Sequence, residues 1–538
     1  MKKVLFNGRI YLDRHRSCEA LLIEGGRILK TGSSRDLLDE VSTQDEKIDA
    51  QGSLVLPAFY DSHVHLMWIG RRAQGIECAG AQSIQEVIDR GRDIIKRHKA
   101  APGTHIQGAG VNPDRFTRGE KRDLNRDDLD QISREHLIVI SRHCGHIIYC
   151  NSAALEKAGI SESAPMEIKG GTIEKDEAGR PTGVLRENAN ALVRGAMPPF
   201  GEHEMKDYLR YGMDKAHSLG ISACGSYDSG GRDFDRTLEV YRAVYDECRA
   251  QGRPGLRVTM QCGISIQEEL LQAHLDRGIY RAPLWEDPRW GNFLKMGSIK
   301  LFADGTLGGQ TAWMRQPYKD KPETQGLSLM SQESLDNFVQ MASGGGMQVL
   351  THAIGDAGID AVLQSYEKVT SPGHNPLRHG IIHCQITSPD LLERLAKNRI
   401  LTLVQPIFLA DDMAVLESRV GKDLASTSYA WNSMHKLGIP VSYSTDAPVS
   451  ALDPLLCLQW AVDRQDSHER VDVHTAFEAY TAAAAYANFD EEHLGRIAPG
   501  FLADLCILDK DIFSIPPGEI HSARVIRTIC GGETVYQL

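Results

Sequence analysis

Asp61-Ser62-His63-Val64-His65 closes the apolar run Leu54–Tyr60 of a 538-residue chain. Residues i and i+2 of a strand face the same side, so the His63 and His65 imidazoles would lie close enough to share one metal ion. Other metal-capable or proton-handling side chains end other apolar runs: His352 after Val349-Leu350-Thr351, His383 after Ile381-Ile382, and Asp446 after Val441-Ser442-Tyr443-Ser444-Thr445. Singly, each reads sooner as a hydrogen-bonded core histidine or a helix-capping aspartate. Together they are more than chance readily places at four chosen strand ends. Lys300, in Gly297-Ser298-Ile299-Lys300-Leu301, is the fifth position. A protonated ammonium is repelled by a dication and has no lone pair to offer. Lysine belongs beside a metal only when burial deprotonates it, or when CO₂ converts it to a carbamate whose two oxygens bridge two ions. The other reading is a buried lysine paired to Asp304.

The elements that must position these residues follow from the pattern of apolar runs. Eight strand candidates can be counted: Leu54–His65, Ser222–Asp228, Leu256–Cys262, Ser298–Ala303, Met347–His352, Gly380–Gln385, Leu401–Gln405 and Pro440–Asp446. Helical patterns intervene, among them Phe234–Gln251, Gln332–Ser343, Asp356–Lys368 and Ser388–Lys397. Eightfold strand–helix alternation predicts an α/β fold, a (β/α)₈ TIM barrel, and the C-terminal rim of such a barrel is where its chemistry sits. The first two strands lie far apart in the chain, so residues at about 70–210 are expected to form an insertion with strands of its own (Ile106–Val111, Leu137–Ser141). Both chain ends alternate like short strands, with Gly25-Gly26 and Gly531-Gly532 as turns. They predict one small β-sandwich domain built from residues 1–56 and 491–538, around a barrel spanning 57–490.

Composition narrows the class. With 60 basic and 72 acidic residues the net charge is −12 and is spread along the chain, which argues against a nucleic-acid surface. No apolar stretch approaches the roughly 18–20 residues needed to span a bilayer, and polar residues follow Met1-Lys2-Lys3 at once, so a soluble, cytoplasmic protein is expected. Eleven cysteines, without a Cys-x-x-Cys pair, speak against a disulfide framework or a cysteine-built zinc site. Cys384, beside His383, is expected to pack rather than to act as a nucleophile. The expected partner is a small-molecule substrate, with no nucleic acid and no membrane; a homodimer is left open.

Asp-x-His-x-His on strand one, lysine on strand four, histidines on strands five and six and aspartate on strand eight resemble the amidohydrolase superfamily in order and spacing. Within it the chain is similar to the YtcJ-like (amidohydrolase 3) branch, which includes N-substituted formamide deformylases. The segments that carry the likeness include Arg142-His143-Cys144-Gly145-His146, Asp304-Gly305-Thr306-Leu307-Gly308-Gly309-Gln310, His352-Ala353-Ile354-Gly355-Asp356 and Thr445-Asp446-Ala447-Pro448. Three positions depart from the branch: Val111-Asn112 stands where Trp-Asp is usual, Cys144 replaces an aspartate, and Ile382 replaces a glutamate. The first two fall in the inserted region, where they would bear on substrate preference.

The resemblance implies one or two divalent ions, zinc above all, held by His63, His65, Lys300 (as a carbamate), His352, His383 and Asp446. A dication there lowers the pKa of water toward neutrality, and Asp446 is the natural general base for attack on a C–N bond, of an N-acyl or N-formyl amide foremost. His146, Asp304 and Gly305 are expected to contact substrate. Two rivals stand beside this reading. A deaminase of the same superfamily usually carries His-x-x-Glu on strand five, where this chain has Gly355. A catalytically inactive binding homologue would be expected to have lost ligands, and all six candidates are present.

Overall fold

A computed structural model describes residues 2–142, 147–163, 167–168, 171–187, 189–230, 233–264, 266–278, 280–282 and 292–538. Eight parallel strands form one sheet in chain order: β1 (Phe59–Val64), β2 (Ile221–Gly230), β3 (Arg257–Gly263), β4 (Leu294–Phe302), β5 (Val349–Ala353), β6 (Gly380–His383), β7 (Leu401–Val404) and β8 (Val441–Tyr443). Neighbours pair in sequence from β1 to β8. Just past the sheet, Asp446 N–H donates to His63 O (3.0 Å) and His65 N–H to Ala447 O (2.7 Å), so the two edges approach and the barrel is nearly closed. β1, β3, β5, β6, β7 and β8 are buried along their whole length, which is why they read as continuous apolar runs rather than alternating ones.

Two of the helices between the strands start on a side-chain cap or a proline. Ser331 Oγ accepts from Ser334 N at the start of Gln332–Gly344, and Pro389 opens the helix Pro389–Lys397. The alanine-rich helix Ala482–Ala487 and the residues around it lie at the N-terminal ends of the strands. Tyr60 N–H donates to Tyr480 O, Gln348 Nε2 to Ala487 O and Lys295 Nζ to Asn488 O. Ala487 packs with Leu350, Ile382, Leu401 and Leu403. That end of the barrel is filled by this packing.

The run Leu54–His65, expected as one strand, is two. Leu54–Pro57 pairs antiparallel with Leu505–Leu508 in a six-stranded sheet, and Phe59–Val64 pairs with β2 in the barrel. Both pieces are fully buried, so hydrophobicity carries no mark of the change of sheet at Ala58. The six-stranded sheet joins strands from the two ends of the chain. A four-stranded sheet of Lys2–Phe6, Ala20–Glu24, Arg27–Gly32 and Glu46–Asp49 shares a core cluster with it that includes Leu5, Leu21, Val55, Leu505 and Ile529.

The chain divides into two compact units, Met1–Leu66 with Gly212–Leu538, and Met67–Tyr211. The second is built on a seven-stranded sheet with a helix, Ile84–His98, on one face. Its strand Leu137–Arg142 shows the period of two directly: Ile138 and Ile140 join the cluster that holds Val87 and Ile88 of the helix, while Leu137 and Val139 join the cluster on the other face. No described helix is long and apolar enough to cross a membrane.

Candidate metal centre

The barrel brings the six expected ligands to the C-terminal ends of its strands. His63 lies in β1 and His65 just past it; Lys300, His352 and His383 lie at or near the ends of β4, β5 and β6; Asp446 follows β8 by three residues. All six are buried. Ring centroids of His63 and His65 lie 5.4 Å apart, those of His352 and His383 4.4 Å apart, and those of His63 and His383 6.3 Å apart. His383 and Asp446 both take left-handed backbone conformations (φ 78° and 55°), which cost free energy in a non-glycine residue and recur where function holds a side chain in place.

Hydrogen bonding settles which ring nitrogen of each imidazole bears the proton. A backbone carbonyl only accepts, so His65 Nδ1–H donates to Tyr227 O (2.7 Å) and His352 Nε2–H to Gly305 O (2.9 Å). His63 Nδ1 faces Gln261 Oε1 (2.6 Å) and His383 Nδ1 faces Gln405 Oε1 (2.8 Å). The remaining lone pairs are Nε2 of His63, His65 and His383 and Nδ1 of His352.

Two of those lone pairs meet one carboxylate oxygen. Asp446 Oδ1 lies 3.2 Å from His63 Nε2 and 3.1 Å from His65 Nε2, and donor atoms of the three residues all lie within 4.8 Å of one another. Lone pairs at such distances repel unless a proton, which makes the contact a hydrogen bond, or a metal cation lies between them. Bonds of about 2.0–2.2 Å from zinc to nitrogen and oxygen set neighbouring donors roughly 3 Å apart, so the residues fit a divalent ion. Burial drives the His63 imidazolium down to about 4 and His383 to about 3, leaving the neutral rings that a metal requires. At His65 burial acts downward too, but the hydrogen bond and charge of Asp446 outweigh it and raise the pKa. At Asp446 burial acts upward, and the two histidines overcome it, holding the carboxyl well below its usual range.

Lys300 Nζ is buried without a hydrogen-bond partner, 4.3 Å from the Phe302 ring centroid. An ion pair with Asp304 is not formed. The Asp304 carboxylate accepts from three backbone amides, Trp313 (2.9 Å), Ile354 (3.0 Å) and Gly355 (2.8 Å). Burial pushes the Lys300 ammonium down to about 7. An orphaned amine of this kind is what reaction with CO₂ needs, since only the neutral form is nucleophilic.

Of the expected substrate contacts, His146 lies outside the described residues. Asp304 is buried with its oxygens turned to the main chain, and Gly305 offers its carbonyl to His352. Sequence reasoning passed over Gln261 and Gln405, which are not metal ligands; a glutamine at the ends of strands three and seven was the only signal. It also gave Asp61 no role. Its carboxylate accepts from Thr445 N (3.1 Å), Thr445 Oγ1 (2.8 Å) and Tyr480 Oη (2.6 Å), tying β1 to the turn that carries Asp446. Cys384 is a buried free thiol, pushed up to about 12 by burial, and so unsuited to act as a nucleophile.

A parallel eight-stranded barrel with imidazoles and a carboxylate at its C-terminal mouth defines a class of metal-dependent barrel hydrolases. The chain belongs to the amidohydrolase family, whose profile matches residues 46–536. It is 32% identical to "Putative amidohydrolase YtcJ" of Bacillus subtilis (strain 168), over the full length of both. It is 26% identical to an N-substituted formamide deformylase of Arthrobacter pascens, covering 98% of this chain and 96% of that one. Among solved structures, an uncharacterized metal-dependent hydrolase from Pyrococcus furiosus superimposes with a TM-score of 0.78 at 27% identity, covering 96% of this chain and all of the other.

Proposed function

We propose that the protein is a metal-dependent hydrolase that cleaves a non-peptide C–N bond, of N-acyl or N-formyl amides foremost. The observation that carries the reading is the convergence of the His63 and His65 lone pairs on Asp446 Oδ1, at 3.2 and 3.1 Å. His63, His65 and Asp446, together with His352, His383 and a carbamate on Lys300, would hold one or two divalent ions, zinc in the first place. Such an ion supplies Lewis acidity and lowers the pKa of water toward neutrality. Asp446, ionised at neutral pH, accepts the proton of the attacking water and returns it to the departing amine; transfers of this kind are worth about 10²–10⁴ in rate. The neutral amine of Lys300 adds through Nζ to CO₂, forming an N–C bond and releasing one proton (two when counted from the ammonium), which puts an anionic ligand where an ammonium would be repelled. The two terminal sheets are read as one β-sandwich beside the barrel.

Deamination finds no support at the position it needs. A Cβ on Gly355 would lie 2.1 Å from Trp313 O, so no side chain fits there, still less the acidic one three residues past the strand-five histidine. The test is metal analysis followed by a substrate panel. One to two equivalents of zinc or a similar ion are expected in the purified protein, with turnover of formamides, N-acyl amines or cyclic amides. A stripped protein that gains no activity on any of them when zinc is restored would overturn the reading.

A further inference from the structure

The four imidazoles of the centre are held from behind in two ways. His65 and His352 donate to main-chain carbonyls, Tyr227 O and Gly305 O. His63 and His383 meet side-chain amides, Gln261 on β3 and Gln405 just past β7, each buried to within a few per cent. An amide can present either a donor or an acceptor, so its orientation needs a cause of its own.

That cause is again the main chain. Gln261 Nε2 donates to Ser62 O (3.1 Å), and Gln405 Nε2 to Leu403 O (2.9 Å) and to Ser444 Oγ (2.8 Å). Carbonyl oxygens accept and never donate, so each NH₂ must turn toward them and each Oε1 toward its imidazole. Nδ1 must then carry the proton and Nε2 the lone pair. Ser62 sits between Asp61 and His63, and Ser444 two residues before Asp446, so each glutamine is clamped by the segment that carries ligands. The chain uses a neutral acceptor here although a carboxylate would fill the same space. A carboxylate would draw the imidazole proton toward itself and add charge to a centre that already holds Asp446.

We infer that Gln261 and Gln405 are matched positioning residues: they lock the tautomer and ring orientation of His63 and His383 and tune the affinity of the centre for its ion. This rests on the metal-dependent reading above. Outer partners of metal-bound histidines typically contribute 10- to 100-fold in metal affinity. In competition with a chelator, Gln261→Leu and Gln405→Leu should therefore each bind zinc at least about tenfold more weakly than the unmodified chain. Gln261→Glu and Gln405→Glu keep an acceptor for the imidazole, and in the protonated form can still donate to Ser62 O or Leu403 O, so they should hold zinc more tightly than the leucine variants. Their cobalt-substituted forms should show shifted d–d bands, which a purely structural role would not move. If a leucine variant fails to fold, as judged by circular dichroism, Gln→Met keeps the length without the acceptor and takes its place. Folded apolar variants that bind zinc like the parent would overturn the inference, and so would glutamate variants that lose zinc as the leucine ones do. A parent chain that binds no divalent ion would instead overturn the reading beneath it, so the two failures are distinguishable.

Discussion

In the proposed reading, Lys300 is the residue on which the chemistry of the centre turns. A lysine among imidazoles is a contradiction while it is protonated, and the structure leaves its Nζ buried and unpartnered rather than neutralised by Asp304. Lys300→Ala is expected to be inactive, and bicarbonate with a short-chain carboxylic acid to restore part of the turnover by supplying the missing anionic oxygens. Full activity without Lys300 would refute its role. Asp446→Asn should lower kcat by about 10²–10⁴, the worth of a general base, with metal content measured on the same sample so that loss of the ion is seen separately. The ligand candidates themselves were legible because residue type and strand position reveal them. Their supports were not. Gln261, Gln405 and Asp61 act through hydrogen bonds between strands distant in sequence, and no spacing rule reports such pairs.

At the scale of elements, the barrel strands were legible within a few residues, because buried parallel strands are continuous apolar runs bounded by turns. What the run Leu54–His65 hides is a change of partner, since pairing with Leu505–Leu508 or with Ile221–Gly230 leaves the same apolar signature. The loop after β4 shows a second limit. Asp304, read from its motif as a substrate contact, spends its carboxylate on the amides of Trp313, Ile354 and Gly355 and so fastens this loop to the turn after β5. Asp304→Ala would strand two buried N–H groups, of Ile354 and Gly355, and the half-buried one of Trp313. At about 1–3 kcal/mol for each buried unsatisfied group, a loss of at least about 2 kcal/mol is expected, read from the urea midpoint. Gly355→Ala should disturb the same junction from the other side, because its Cβ would collide with Trp313 O. A Gly355→Ala protein as stable and as tightly metal-bound as the parent would show that the loop yields more easily than its packing indicates.

Across the whole molecule, one ion pair ties the barrel to the strands contributed by the chain's end. Arg257, at the start of β3, meets Asp504, next to the strand Leu505–Leu508, through Nε at 2.8 Å and Nη2 at 3.1 Å, with the guanidinium 4.2 Å from the Phe293 ring centroid. Both are buried, and Asp504 also accepts from Gly531 N–H (2.7 Å). Burial by itself would raise the Asp504 pKa; the charge and hydrogen bonds of Arg257 outweigh it and hold the carboxyl below its usual value. Removing one partner of a buried pair leaves the other charge uncompensated, so Arg257→Ala should cost about 3–5 kcal/mol in urea unfolding. The combined Arg257→Met/Asp504→Leu chain should recover much of that loss, since apolar packing often matches a buried pair. The pH dependence has a definite sign. A carboxyl depressed by folding stabilises fully above its unfolded value of about 3.9 and loses that contribution as pH falls through the folded one. Without Arg257, burial acts on Asp504 and raises its carboxyl, so the variant is relieved by protonation where the parent is not. The gap in urea midpoint between the parent and Arg257→Ala should therefore be widest at neutral pH and narrow on acidification toward about pH 3. A gap that stays constant to the acid end would mean that Arg257 contributes through its stacking on Phe293 rather than through its charge.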